Sequence, residues 1–106
     1  MATRKKRTDR NHVIYNIICE PTQESYIGVT VMLKQAVKKT LNSRLNQHLY
    51  KATVVQPNWT LSKAIRKHGI ESFSIHPIQV VRGRLNAFKR ESELINLHNP
   101  ILNTKM

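Results

Sequence analysis

One of the six acidic residues of this chain, Glu91, falls on the apolar side of a helical pattern. It lies three residues after Phe88 and four before Ile95, so the three side chains share one face of a helix. Glu93, two residues further on, turns away. A carboxylate that faces a core is costly unless it is paired. We therefore expect Glu91 either to form a salt bridge, with Arg44 as the natural partner, or to bind a divalent cation.

Two further groups with useful chemistry, Arg44 and His48, lie four residues apart. They share one side of a helix, next to a stripe formed by Leu41, Leu45 and Leu49. Mg²⁺ commonly uses only one or two protein carboxylates, and water and phosphate complete its shell. A carboxylate for the metal, a guanidinium for phosphate charge and a phenol or imidazole for the proton suffice for phosphodiester hydrolysis. The alternative is that Arg44 extends along the core and His48 only packs.

The phenols come from a predicted β-hairpin over residues 12–31, with a four-residue loop at 20–23. In that register Tyr15 falls opposite Gly28, and Tyr15 and Tyr26 project from the same face. A five-residue loop would place the two phenols on opposite faces. Glycine inside a strand often marks a close approach to the backbone, here by a ligand or by the ring of Tyr15.

The other elements must position these residues. They are a helix over about 42–52, a second helix from Pro57-Asn58 or Thr60 to His68, a strand over 73–81 and a helix over 85–98. Weak helix formers predict a break before Leu41. Trp59 is expected to pack in the core, Gly69 to be a left-handed cap, and Pro77 to mark a sheet edge or a bulge.

The charge balance indicates a polyanionic partner. Lys and Arg number 18 against 6 acids, giving a net charge of +12, which favours nucleic acid over a membrane surface. We expect a flexible basic arm over residues 1–11 and one domain over 12–106. Lys63, Arg66 and Lys67 form the basic side of the second helix and are expected to contact nucleic acid.

The sequence shows no sign of secretion or membrane insertion. No run approaches the ~20 apolar residues of a spanning helix, and no apolar segment follows the basic N-terminal residues. Cys19 is the only cysteine, which excludes an internal disulfide. We expect an intracellular protein.

These residues together resemble the GIY-YIG nuclease family. The first motif appears as Val13-Ile14-Tyr15 and the second as Tyr26-Ile27-Gly28, at the spacing usual in the family. The further matches are Arg44, His48, Glu91 followed by Leu94-Ile95, Pro100 and Asn103. The match covers about 13–103. It departs from the family at Val13, where the first motif has glycine, and at Gln56-Pro57-Asn58, where some members have a histidine.

The resemblance implies an α+β fold of order β-β-α-α-β-α, with a three-stranded antiparallel sheet flanked by helices. It implies a DNA endonuclease that uses one divalent cation, Mg²⁺ or Mn²⁺, bound by Glu91. Tyr15 would accept the proton of the attacking water or position that water, with Tyr26 and His48 in support. Arg44 would bind the scissile phosphate, and Asn103 would have a supporting, structural role.

Two other functions remain open. A non-catalytic basic nucleic-acid-binding module could keep the same scaffold, and a structural role like that of a ribosomal protein would fit the charge equally well. The retained Tyr15, Arg44 and Glu91 favour the nuclease over the first, and the second offers no reason for an inward-facing Glu91.

Overall fold

The fold is α+β, as expected, in a computed structural model that describes residues 10–33, 36–55 and 59–103. The strands are β1 (Asn11–Cys19), β2 (Glu24–Val31) and β3 (Phe73–Arg82), and the α-helices are α1 (Val37–Tyr50), α2 (Thr60–His68) and α3 (Arg84–His98). Shorter turns are a π-helical turn (Lys51–Val55) and 3₁₀ turns (Ile70–Ser72 and Ile101–Asn103). Residues 1–9 of the predicted arm lie outside the described residues. The last residue of that arm, Asn11, is instead the first residue of β1.

The hairpin forms in the predicted register. Cys19 pairs with Glu24, so the loop has four residues, and Tyr15 lies opposite Gly28. Gln23 closes the loop with a positive φ of 61°, and its backbone N–H donates to the carbonyl of Cys19 at 2.7 Å. The two phenols therefore lie on the same face of the sheet.

The third strand pairs antiparallel with the other side of β1, which gives the order β2-β1-β3. Tyr15 pairs with Pro77 while its neighbour Ile14 pairs with Gln79, so Ile78 is an extra residue in a bulge. Proline has no N–H to donate, and an edge strand with a bulge tolerates that loss. The prediction from Pro77 is confirmed.

Helices cover both faces of the sheet. One face of β1 carries Val13, Tyr15 and Ile17, which are buried in one cluster with residues of α1 and α2. The opposite face carries Ile14, which is buried with Leu94 of α3. Arg44 and Glu91 therefore belong to helices on opposite faces. Among the described residues, none of the helices has the length and apolarity needed to span a bilayer.

The start of α1 differs from the sequence prediction. The helix begins at Val37 and does not break before Leu41. The hydroxyl of Thr40 donates to the carbonyl of Ala36 at 2.7 Å and accepts from the amide of Leu33 at 2.8 Å. These two bonds satisfy the polar group that makes threonine a weak helix former, so the helix continues through it.

The predicted apolar stripe of α3 is also wrong in part. Phe88, which the pattern placed on the apolar side, is 41% exposed, and the buried residues of the helix are Ala87 and Leu94. Glu91 lies between these two, four residues after the first and three before the second. It therefore does face the sheet, but through a narrower stripe than the sequence indicated.

Two predictions concerned the limits of α2. The helix begins at Thr60 with no side-chain cap, and residues 56–58 lie outside the described residues. The helix ends at Gly69, whose φ of 90° is positive. Its ψ of 155° lies outside the left-handed helical region, so the predicted left-handed cap is not formed.

Candidate active site

Two phenols and an imidazole meet on the face covered by α1. The rings of Tyr15 and Tyr26 lie 6.4 Å apart between centroids, and the imidazole of His48 is 5.3 Å from the ring of Tyr26. Gly28 permits this approach, because a Cβ there would lie 2.5 Å from the Tyr15 hydroxyl oxygen and 2.9 Å from Cε1 of Tyr26. The sequence predicted a close approach to this glycine by a ligand or by the ring of Tyr15, and in the structure the Tyr15 ring approaches it.

The Tyr15 hydroxyl connects two residues of α1. Nε of Arg44 donates to it at 3.0 Å, and Nε2 of His48 lies 2.9 Å from it. A guanidinium can only donate, so the phenol oxygen accepts from Arg44 and its own hydrogen is available to Nε2. A neutral His48 protonated on Nδ1 can accept that hydrogen at Nε2, so the Tyr15 hydroxyl both accepts and donates.

Burial sets the charges of this group. Desolvation, helped by the charges of Arg44 and Lys51, lowers the pKa of His48 to about 4, so the imidazole is neutral at pH 7. Desolvation raises the pKa of Tyr15 to about 12 against the opposing charge of Arg44. The pKa of Tyr26 is also raised, again chiefly by desolvation. At neutral pH both phenols are protonated and Arg44 supplies the positive charge.

Glu91 approaches from α3 on the opposite face. It is half-buried, and desolvation raises the pKa of its carboxyl group while the charge of Arg44 opposes the shift. Arg44 is bonded to Tyr15 and to Oε1 of Gln47, the latter at 2.8 Å. Among the described residues no direct ion pair joins Arg44 to Glu91. The predicted salt bridge is therefore not formed, although each residue is within the other's field.

The donor set bears on the predicted metal. No group of three His, Cys, Asp or Glu residues within the described segments could hold an ion. Glu91 offers one hard carboxylate, which makes no hydrogen bond to any described group. Mg²⁺ and Mn²⁺ suit such a site only if water and phosphate supply the other ligands, as they commonly do for Mg²⁺. The residues present fit that mode of binding.

Asn103 fixes the edge of the sheet beside the phenols. Its Oδ1 accepts from the amide of Ile27 at 2.7 Å, and its Nδ2 donates to the carbonyl of Ile27 at 2.8 Å. The side chain thus bonds to β2 as a neighbouring strand would. Because Ile27 lies between Tyr26 and Gly28, these bonds hold the backbone that carries the second phenol.

A cavity of about 210 Å³ opens beside this cluster. Its lining is Tyr26, Arg44, His48, Lys51, Trp59, Leu61, Leu102 and Asn103. Sequence reasoning missed Lys51, although its position three residues after His48 could have indicated it. Trp59 was predicted to be in the core, yet it is 41% exposed and lines the cavity. No local sequence pattern distinguishes a tryptophan in the core from one that lines a cavity.

The three residues predicted to contact nucleic acid all belong to α2. Lys63, Arg66 and Lys67 are exposed on α2. Arg66 also donates from Nη1 to the carbonyl of Ala52 at 3.1 Å, so it ties α2 to the π-helical turn. Among the described residues, none of the three basic side chains lines the 210 Å³ cavity.

A second cavity, of about 450 Å³, has Arg44 in common with the first. Arg10 and Arg84 also line it, and the guanidinium of Arg84 lies 5.3 Å from the ring centroid of Phe88. Sequence reasoning placed Arg10 in the arm and gave Arg84 no role. Arg44 is therefore flanked by further cations on both sides.

Comparison with known proteins gives no relative for this chain: no family model, curated protein or solved structure matches it.

Proposed function

We propose that this protein is a metal-dependent endonuclease of the GIY-YIG type, which hydrolyses phosphodiester bonds in DNA inside the cell. The observation that carries the proposal is the Tyr15 hydroxyl, held between Nε of Arg44 at 3.0 Å and Nε2 of His48 at 2.9 Å. A phenol in contact with both a neutral base and a permanent cation suits proton transfer beside a phosphate.

In the proposed reaction a water molecule attacks phosphorus and gives its proton to the Tyr15 oxygen, which is fully buried in this structure and must become accessible when the phosphate binds. The hydroxyl proton of Tyr15 passes at the same time to Nε2 of His48, so no free phenolate is needed despite the pKa of about 12. Arg44 stabilises the negative charge that grows on the phosphate oxygens. A divalent cation bound by Glu91 would polarise a phosphate oxygen and stabilise the leaving oxygen.

The alternative is a basic module that binds nucleic acid without cleaving it. The net charge of +12 supports binding equally well in both cases. The nuclease, unlike the binding module, gives a catalytic use to the buried contact of Tyr15 with His48 and Arg44.

A nicking assay separates the two functions. Supercoiled plasmid is incubated with the protein and Mg²⁺, and in parallel with EDTA. We expect nicks that EDTA prevents, and a loss of about 10²–10⁴-fold in rate for Tyr15→Phe. Tyr50→Phe is the matched control, because Tyr50 is 60% exposed on the same helix as His48. DNA that is bound but never nicked would identify the binding module.

A further inference from the structure

We infer that Trp59 and Lys51 form a nucleotide-binding subsite in which an unpaired base stacks on Trp59 and its phosphate contacts Lys51. The inference rests on the proposed function, because it names the part of the nucleic acid that this cavity would hold. It also specifies a substrate class: DNA with a gap, a flap or a bulge rather than a continuous duplex.

Trp59 is placed as a recognition residue would be. Tryptophan buries a large apolar area when it packs in a core, but this ring stays 41% exposed and lines a concave wall shared with Arg44 and His48. Base stacking on exposed aromatic rings is the common way for proteins to hold single strands, since every base has a π-face.

Lys51 supplies the second half of the subsite. Its Nζ lies over the Trp59 ring, 5.3 Å from the centroid, which is a cation–π distance, so a base would stack on the part of the ring that the ammonium leaves exposed. An aromatic face next to a cation matches the base and the phosphate of one nucleotide. The charge of Lys51 also contributes to lowering the pKa of His48, so the pair lies within electrostatic reach of the proposed proton acceptor.

The size of the cavity selects an unpaired base. About 210 Å³ is below the usual ~300–1,000 Å³ of ligand pockets, so the site suits one base rather than a base pair. Bases within a duplex are stacked on their neighbours, and reaching Trp59 requires one to leave the stack. That step is easiest where the base is already unpaired.

Fluorescence provides a direct test, because Trp59 is the only tryptophan in the chain. The protein is titrated in EDTA, so that no cleavage occurs, with a continuous duplex and with the same duplex carrying a short single-stranded gap. We expect the gapped DNA to quench the emission strongly and the continuous duplex to quench it weakly. Equal quenching by both at saturation would overturn the inference.

Variants give a second readout by anisotropy of labelled DNA. Trp59→Ala should weaken binding of gapped DNA about 10-fold and that of continuous duplex less than twofold, whereas Trp59→Phe should retain most of the affinity. Lys51→Gln should weaken binding of gapped DNA several-fold and keep the fluorescent ring. Lys38→Gln removes the same charge from an exposed position of α1 and is the matched control.

The outcomes distinguish this inference from the function on which it rests. If the parent protein prefers gapped DNA but Trp59→Ala and Lys51→Gln bind it equally well, the subsite is wrong and the nuclease stands. If the variants behave as expected but the parent never nicks DNA, the subsite belongs to a binding module. If the parent binds neither DNA, both proposals fail.

Discussion

At the scale of single residues, the site depends on groups that are neutral because they are buried. His48 is 9% exposed and faces Arg44 and Lys51, so a proton on its ring would meet two positive charges in a poorly solvated place. The same burial raises the pKa of Tyr15 to about 12, further above neutral pH. An imidazole that is held neutral remains available as a proton acceptor over the whole physiological pH range.

This burial predicts a loss of stability in acid. The unfolded chain takes up a proton on His48 near its ordinary pKa of 6.5, whereas the folded chain does so only near 4. Because the unfolded state binds more protons between these values, the free energy of unfolding falls as pH drops from 6.5 to 4, by up to about 3 kcal/mol. Denaturant unfolding of the parent and of His48→Gln at several pH values measures it.

In His48→Gln this contribution should be absent. His98→Gln removes an exposed imidazole and should keep the full loss. Parallel stability curves for the parent and His48→Gln would show that the imidazole is not held neutral by the fold.

The two glutamates of α3 give a matched pair for the metal. Glu91→Gln keeps shape and hydrogen-bonding capacity but loses the anionic ligand, so nicking with Mg²⁺ should vanish while binding of DNA persists or tightens. Glu93→Gln changes an exposed residue two positions away and should do little. Isothermal titration with Mn²⁺ in the presence of uncleavable DNA checks metal binding apart from turnover.

Several results would contradict the assignment of Glu91 to the metal. A Glu91→Gln protein that melts like the parent and still nicks DNA would reject it. Lost stability with residual nicking would mean that Glu91 serves the fold instead.

At the scale of elements, the two strands of the hairpin can carry two phenols on one face only because Gly28 lies beneath them. We expect Gly28→Ala to cost about 1–3 kcal/mol, since the new Cβ would lie 2.5 Å from the hydroxyl oxygen of the fully buried Tyr15. Nicking should fall with it, because the hydroxyl must move away from His48.

Thermal unfolding of Gly28→Ala, Tyr15→Phe and the double variant tests this explanation. Tyr15→Phe removes the hydroxyl oxygen at 2.5 Å but leaves Cζ of the ring at 2.6 Å, so the double variant should be destabilised only slightly less than the sum of the single ones. Simple additivity would mean that the hydroxyl is not what the new Cβ displaces.

The elements also show what a sequence can predict. The hairpin register followed from loop length and alternation, and Pro77 correctly marked an edge and a bulge, because these are local properties of a strand. The start of α1 did not follow, since the hydroxyl of Thr40 is satisfied by Leu33 and Ala36. Propensity alone does not contain such bonds.

The candidate site, like the elements, could be predicted from the sequence only in part. Spacing grouped Arg44 with His48 and set Glu91 apart from Glu93, because helical periodicity fixes those relations. The exposure of Trp59 depends on which elements lie beside it, as does the choice of Arg44 between Tyr15 and a salt bridge. Those are properties of the assembled fold, and no pattern along the chain determines them.

At the scale of the whole molecule, the net charge of +12 predicts that any encounter with DNA is largely electrostatic. Affinity for a duplex should fall steeply with salt, with a slope of about −0.9 in log–log form for each phosphate neutralised. Lys63→Gln and Lys67→Gln should each reduce that slope by about 1. Lys89→Gln removes the same charge from α3, on the opposite face of the sheet, and should change it less. Filter binding across a salt series gives the slopes.

The bond between Asn103 and Ile27 also has a consequence for a chain that is still being made. The two residues are 76 positions apart, and contacts across such a distance form only after the intervening chain has closed on itself. When His48 has emerged from the ribosome, Tyr15, Tyr26 and Arg44 have emerged as well. Such a chain lacks both the carboxylate of Glu91 and the amide that holds β2. The candidate site can therefore be completed only after residue 103 has been made.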